Sequence, residues 1–381
     1  MINLNSKMSG VETSIFAVMT KLAMDNNALN LSQGFPDFNP PEELLQLVNE
    51  KIHSGFNQYA PMPGVPALRE KISEKVFELY GRKYNPVSEI TITAGATQSL
   101  YTAITTVINK DDEVIIFEPA YDLYIPVVKA CGGIPVPIQL ELPDFTYNWN
   151  AVKEKISNKT KLIIVNSPHN PTGSILTQED INALEEITRN TNIIIISDEV
   201  YEHIIFDGQK HNSLSSSKEL SERSFVISSF GKTYHSTGWK VGYTLAPEKM
   251  TDEFRKMHQF ITFAVNTPVQ HAYADFMKNK AHYLALPEFY QSKRDLLLKN
   301  MKGSRFKFTP TKSTYFQLFD YSEISDLNDM EFCEWMVKKY KVAAIPLSPF
   351  MSSKSDYKLI RICFAKKDDV LIEGARRLRN I

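Results

Sequence analysis

Five short segments of this chain carry residue types able to do chemistry, and each follows a run of apolar, mostly β-branched residues. They are Gly95-Ala96-Thr97, Glu118-Pro119-Ala120-Tyr121, the stretch from Asn166 through Asn170 to Gly173, Asp198-Glu199-Val200-Tyr201, and Ser229-Phe230-Gly231-Lys232. A lysine amine attacks carbonyl carbons once it is neutral. A carboxylate such as that of Asp198 stabilises a nearby protonated nitrogen. A helix starting near Thr97 would offer free N–H groups and a positive dipole end, which favour a phosphate without arginine.

For these segments to meet, the runs before them must be neighbouring strands. Strands are expected at Ile90 to Thr93, Val114 to Phe117, Leu162 to Val165, Ile193 to Ile196 and Phe225 to Ile227. Helical stretches separate most of them, as from Pro66, where Leu68, Ile72, Val76, Leu79 and Tyr80 keep helical spacing until Gly81 stops it. Unbroken runs such as Ile193-Ile194-Ile195-Ile196 imply strands covered on both faces. The expected class is therefore α/β, with a mostly parallel sheet under helices on each side. In such sheets ligands bind outside the carboxyl ends of the strands, so the five segments would share one crevice.

From about Leu284 the texture changes to a long Lys/Arg-bearing helix. Short strands follow near Tyr315 to Leu318, Val342 to Ile345 and Leu359 to Phe364, as in a smaller α+β unit. The expected division is a large domain over 39–288 and a small one formed by 1–38 with 289–381.

Composition narrows the function. The chain has 381 residues, 43% of them apolar and 23% charged, an ordinary folded mixture. Lys and Arg number 43 against 44 Asp and Glu, so no basic field exists to hold a nucleic acid. Three dispersed cysteines, Cys131, Cys333 and Cys363, without a C-x-x-C pair, fit a cytoplasmic location and no metal site. Met1 to Thr20 lacks the apolar core of a signal peptide, and no stretch reaches the ~18 apolar residues of a membrane span. No two glycines stand two apart, no pair has Walker A spacing, and Gly238 and Gly242 enclose Lys240 rather than a serine. Dinucleotide, P-loop and hydrolase chemistry thereby lose their usual supports.

A lysine, an aspartate, tyrosines, an asparagine and a helix start facing one crevice are the parts a pyridoxal 5′-phosphate site needs. Its aldehyde requires an amine for a Schiff base, its ring nitrogen an anion, and its phosphate hydrogen-bond donors. Taken singly, each residue has a plainer reading. Asp198 could cap a turn, the tyrosines could pack, and Arg361 could sit in a structural salt bridge. His169 and His235 are assigned to packing, and the basic run Arg376-Arg377-Leu378-Arg379 to a solvated face.

The motifs together resemble the class I aminotransferases of the aspartate aminotransferase fold, the pyridoxal-phosphate-dependent transferase fold of type I. The likeness rests on Gln33-Gly34-Phe35-Pro36-Asp37, Asn57-Gln58-Tyr59, the Asn166 to Gly173 stretch, Ser197-Asp198-Glu199-Val200-Tyr201, Ser229 to Thr233 with Gly238-Trp239-Lys240-Val241-Gly242, and Arg361 within Ile360 to Phe364. It covers nearly the whole length and is strongest toward the methionine and kynurenine/glutamine branch.

The resemblance implies that Lys232 holds the cofactor and moves the substrate proton, and that Asp198 pairs with the ring nitrogen. Asn170 and Tyr201 would bond the phenolic oxygen, and Tyr121 would lie on the ring. Ala96, Thr97, Ser229 and Lys240 would bind the phosphate, with Tyr59 contributed by a partner subunit in a homodimer. Arg361 would grip the substrate carboxylate, with Gly34 and Asn170 beside it. The broader class usually has arginine where this chain has Lys240, a point charge rather than a fork.

Aromatic surface from Phe16, Tyr59, Tyr121, Phe260 and Phe263 suits thioether and aromatic side chains. The expected reaction is transfer of an amino group from an uncharged or aromatic L-amino acid to a 2-oxo acid by a ping-pong mechanism. Methionine is favoured, ahead of kynurenine, phenylalanine, tyrosine and glutamine. A C–S β-lyase is the near rival and a non-enzymatic, cofactor-binding regulator the distant one.

Overall fold

The computed structural model describes residues 6–8 and 10–381; residues 1–5 and Ser9, part of the 1–38 segment, lie outside the described residues. After β1 (Leu29–Asn30) come β2 (Ile90–Thr93), β3 (Glu113–Glu118), β4 (Ile134–Gln139), β5 (Thr160–Asn166), β6 (Ile194–Asp198), β7 (Ser224–Ser229) and β8 (Gly242–Leu245). β2 to β8 form one seven-stranded sheet in the order β2-β8-β7-β6-β5-β3-β4.

The strands bury both faces, as their unbroken apolar runs require. Ile115, Ile163, Val165, Ile195 and Val226 enter one core, while Val114, Ile116, Leu162, Ile164, Ile196, Phe225 and Ile227 enter the other. Each such side chain contributes about 1.5–3 kcal/mol relative to exposure. β3 to β7 pair in parallel, while β8 runs against both of its neighbours. Gly242, at the start of β8, leaves no room for a side chain: an added Cβ would lie 2.7 Å from the Ser228 carbonyl oxygen and 2.9 Å from the Ala96 nitrogen. That close approach sets Lys240 and the helix Gly95–Val107 side by side. The helix begins two residues ahead of the expected start near Thr97.

The sheet's edges carry few free donors. On β4 the amide of Ile134 and that of the following Leu140 bond toward β3, so Pro135 and Pro137 fall on the outward side, where they offer no N–H. On β2 the Ile92 amide donates to the Pro63 carbonyl at 2.9 Å and the Ile90 carbonyl accepts from Arg255 at 2.7 Å.

The C-terminal third supplies the helix Leu286–Met301, then β9 (Phe316–Asp320), β10 (Val342–Ala343), β11 (Ile345–Pro346) and β12 (Leu359–Cys363). β11, β12 and β9 form an antiparallel sheet, and β1 pairs with β10. The stretch expected as one strand over Val342 to Ile345 therefore divides at Ala344 between two sheets. Among the described residues, no helix is long and apolar enough to cross a membrane.

Candidate active site

A cavity of about 250 Å³ opens at the carboxyl ends of the central strands. Ala96, Thr97, Tyr121, Asn170 and Asp198 line it, joined by Tyr201, Ser229, Lys232 and Lys240, so five distant segments do converge. A larger cleft of about 440 Å³ lies between Leu142–Phe145 and Lys307–Lys312, but its charged side chains, Asp144, Lys307, Lys312 and Asp320, are exposed or half-buried.

Lys232 sits on the single helical turn Phe230–Thr233 directly after β7. Its Nζ donates to the Gly34 carbonyl at 3.1 Å and to the Tyr315 hydroxyl at 2.9 Å. Burial, with Arg361 and Lys240 nearby, lowers this amine to about 8. Asp198, the last residue of β6, is 4% exposed. Its Oδ2 accepts from the Tyr124 hydroxyl at 2.7 Å, and burial raises the carboxyl to about 6.

Asn166 ends β5 and ties these strand ends together. Its Nδ2 donates to the Asp198 carbonyl at 2.8 Å, and its Oδ1 accepts from the Asn170 amide at 2.9 Å. Tyr121 is half-buried and pushed up to about 12 by burial. Tyr201 is buried, and its ring meets that of Tyr315 edge-on at 5.1 Å. Lys240 is exposed, with φ +52°, an uncommon backbone conformation for a lysine, and its Nζ stands 3.5 Å from Thr97 Oγ1.

Arg361, on β12, is fully buried yet pairs with no carboxylate among the described residues. Its Nη1 donates to Asn170 Oδ1 at 2.7 Å and its Nη2 to the Ser32 carbonyl at 3.2 Å, while Nε has no partner among the described residues. The guanidinium lies 3.9 Å from the Phe316 ring centre, 5.2 Å from that of Phe16 and 5.6 Å from that of Phe350. Burial lowers it to about 10. The structural salt bridge considered for this residue is not what surrounds it. Gly34 runs close above: an added Cβ would touch Phe316 at 3.0 Å and approach Arg361 at 3.9 Å.

Three aromatics expected at the side-chain pocket lie elsewhere on this chain. Tyr59 is 83% exposed, Phe260 88% and Phe263 50%, and Tyr59 packs edge-on against Phe263 at 5.4 Å. The described residues of this chain leave all three exposed. His169 and His235 are held neutral, at about 3 and about 4, by burial. They bond Thr172 and Tyr290, respectively. Among the described residues, no three His, Cys, Asp or Glu side chains group to hold a metal.

The site also holds residues that the sequence did not single out. Tyr124 follows Tyr121 by three residues, across the turn that leads into the helix Tyr124–Ala130. Tyr315 and Phe316, where β9 begins, and Phe350, on the helical turn Ser348–Phe350, carried no local signal, since only long-range packing brings them to Lys232 and Arg361.

Comparison with known proteins agrees with this geometry. Residues 26–378 match the model of the family described as aminotransferase class I and II. Methionine aminotransferase of Escherichia coli is 48% identical over 377 residues, covering 99% of this chain and 98% of the relative. Kynurenine–oxoglutarate transaminase 3 of Mus musculus is 33% identical, over 96% of this chain and 87% of the relative. The crystal structure of an Escherichia coli protein with methionine aminotransferase function superposes with a TM-score of 0.97 at 47% identity, over the whole of both chains. With a crevice at the strand ends and a match over nearly its full length, the chain belongs to the class I and II aminotransferases and is an aminotransferase of the type I fold.

Proposed function

We propose that this aminotransferase uses pyridoxal phosphate to move the amino group of an uncharged or aromatic L-amino acid, methionine foremost, to a 2-oxo acid in two half-reactions. The observation that carries the reading is that the Lys232 amine and the Asp198 carboxylate open onto one cavity, near a buried arginine that pairs with no carboxylate among the described residues. The residues present fit the cofactor. A cavity of about 250 Å³ has a nucleophilic amine, a buried carboxylate that forms no ion pair among the described residues, and a helix start at its rim.

When bound, the cofactor supplies an aldehyde that condenses with amines and a protonated ring that takes up an electron pair. Asp198 would face the ring nitrogen, and Asn170 and Tyr201 the phenolic oxygen. Tyr121 would cover a ring face. The amides of Ala96 and Thr97, the Ser229 hydroxyl and Lys240 would hold the phosphate.

Arg361 binds the α-carboxylate of the substrate, for which its unpartnered Nε and aromatic surround leave it prepared. Gly34 and Phe16 line the same place. An amine lowered to about 8 is neutral in a useful fraction at physiological pH, so Lys232 Nζ can take the substrate Cα proton and hold it for return. The 48% identical methionine aminotransferase and the kynurenine transaminase support a donor without a second carboxylate.

The exposed patch of Tyr59, Phe260 and Phe263 supports a homodimer in which Tyr59 reaches the partner's phosphate site. The separation of the seven-stranded sheet from the two smaller ones supports a large domain over 39–288 and a small one from 1–38 with 289–381. Free thiols at Cys131, Cys333 and Cys363 support a cytoplasmic enzyme.

The test is the visible absorption of the cofactor-loaded protein. Methionine alone should bleach its long-wavelength band and a 2-oxo acid should restore it. A band untouched by methionine would remove methionine as donor, and no band after loading would overturn the cofactor reading.

A further inference from the structure

The counter-charge of this cavity is itself held in place by one hydroxyl. Asp198 Oδ2 accepts from Tyr124 at 2.7 Å, with both side chains buried. Its Oδ1 faces only the longer Val200 amide at 3.4 Å. Among the described residues, Tyr124 is therefore the strong donor to this carboxylate.

Tyr124 opens the helix Tyr124–Ala130, three residues after Tyr121, and the two rings meet at 5.7 Å and 77°. A single turn of chain thus presents the ring that lines the cavity and the hydroxyl that grips the acid at its floor.

We propose that Tyr124 is a positioning residue that keeps the Asp198 carboxylate ionised and aimed into the cavity, and so sets both the strength of cofactor binding and the protonation of the cofactor ring. This inference rests on the reading of the cavity as a pyridoxal phosphate site. A buried carboxyl without a donor takes up a proton, and a neutral acid does not stabilise a protonated ring nitrogen. A phenol bonded to a carboxylate is a charge-assisted donor, stronger than a neutral pair. Burial and the Asp198 charge push the Tyr124 hydroxyl well above its ordinary value, so it remains a donor throughout.

The other ionisable groups facing Asp198 are Lys232, which attracts its charge, and Glu199, Tyr121 and Tyr201. None of them hydrogen-bonds its carboxylate oxygens among the described residues.

The experiment compares the wild type with Tyr124→Phe, which removes one oxygen and keeps the ring. The dissociation constant of pyridoxal phosphate should rise about tenfold or more, the size expected for losing a hydrogen bond to a charge. With ¹⁵N-labelled cofactor, the ring nitrogen should shift toward the unprotonated signal, and its titration midpoint should fall. A merely structural role would leave that midpoint in place. In an Asp198→Asn background, Tyr124→Phe should add little to the loss, because the charge it serves is gone.

Wild-type binding together with an unchanged constant and midpoint in Tyr124→Phe overturns this inference alone. A wild type that does not bind the cofactor overturns the functional reading as well. If the phenylalanine variant does not fold, 3-fluorotyrosine placed at position 124 keeps the shape and strengthens the donor. The midpoint should then rise, and no movement counts against the inference.

Discussion

Arg361 and Asn170, 191 positions apart, meet through a 2.7 Å hydrogen bond from Nη1 to Oδ1. The bond joins β12 of the small sheet to the loop that leaves β5 of the large one, so a carboxylate bound there would touch both parts of the molecule.

Arg361→Met tests what this residue is for. Losing a buried charge pair with the substrate costs about 2–5 kcal/mol, so kcat/KM for amino acids should fall by about 30-fold to several thousand-fold. The ligand-free protein should lose less than the ~3 kcal/mol that marks a broken buried ion pair, because no counter-charge is orphaned. Steady-state kinetics and calorimetry on the same sample decide. A large loss of stability with unchanged kinetics would make Arg361 structural.

Lys232 should show its lowered basicity directly. Covalent capture of pyridoxal phosphate, trapped with borohydride and located by peptide mass mapping, should rise with pH through about 8 rather than near the ordinary 10.5. Lys232→Ala should lose the labelled peptide, and its transamination should fall about 10²- to 10⁴-fold, the range of a missing general base. A variant that transaminates at the wild-type rate would refute the assignment.

Cofactor affinity should weaken as pH falls through about 6, where Asp198 takes up a proton. The same carboxyl makes a prediction for stability. Its folded value lies above the unfolded 3.8, so the stability it contributes is fully present below 3.8 and is lost as pH rises through about 6. Thermal scans across that window should show pyridoxal phosphate stabilising the chain more at pH 7 than at pH 5.

Behind Tyr201, the buried Lys75 amine bonds Glu202 at 2.7 Å and the Tyr243 hydroxyl at 2.7 Å. Burial alone would raise the Glu202 carboxyl, but Lys75 and His203 hold it well below the carboxylate range. Its stabilising contribution is thus present above the ordinary 4.5 and lost as pH falls. Lys75→Met should cost about 3–5 kcal/mol in urea unfolding at pH 7, and adding Glu202→Gln should return much of it. Equal losses in the single and double variants would disprove the coupling.

Phe260, 88% exposed, should be covered in the active assembly. Phe260→Asp would place a charge there, and sedimentation velocity should show a shift toward monomer, with activity falling in step. A dimer unaffected by this change would move the interface elsewhere on the surface.

The strands that were legible in the sequence are those with two buried faces, because burial on both sides leaves a continuous apolar run. β4 was hidden by Pro135 and Pro137, which an edge strand tolerates, and β8 by its opening glycine. The reversed direction of β8 has no local signature at all. In the site, residues at strand ends stood out by their punctuation. Tyr315 and Phe316 did not, because their role depends on where β9 is placed against the large sheet, a long-range fact that no window of sequence contains.

The two edges of the large sheet have a consequence for how this protein meets copies of itself. With proline on the outer side of β4, and the Ile92 amide and Ile90 carbonyl of β2 already bonded, neither border templates another strand. Growth by strand addition, the usual route from a wide sheet to a fibril, is closed at both ends while the fold persists. Self-recognition is left to side-chain surfaces, where it can stop at a defined number of copies.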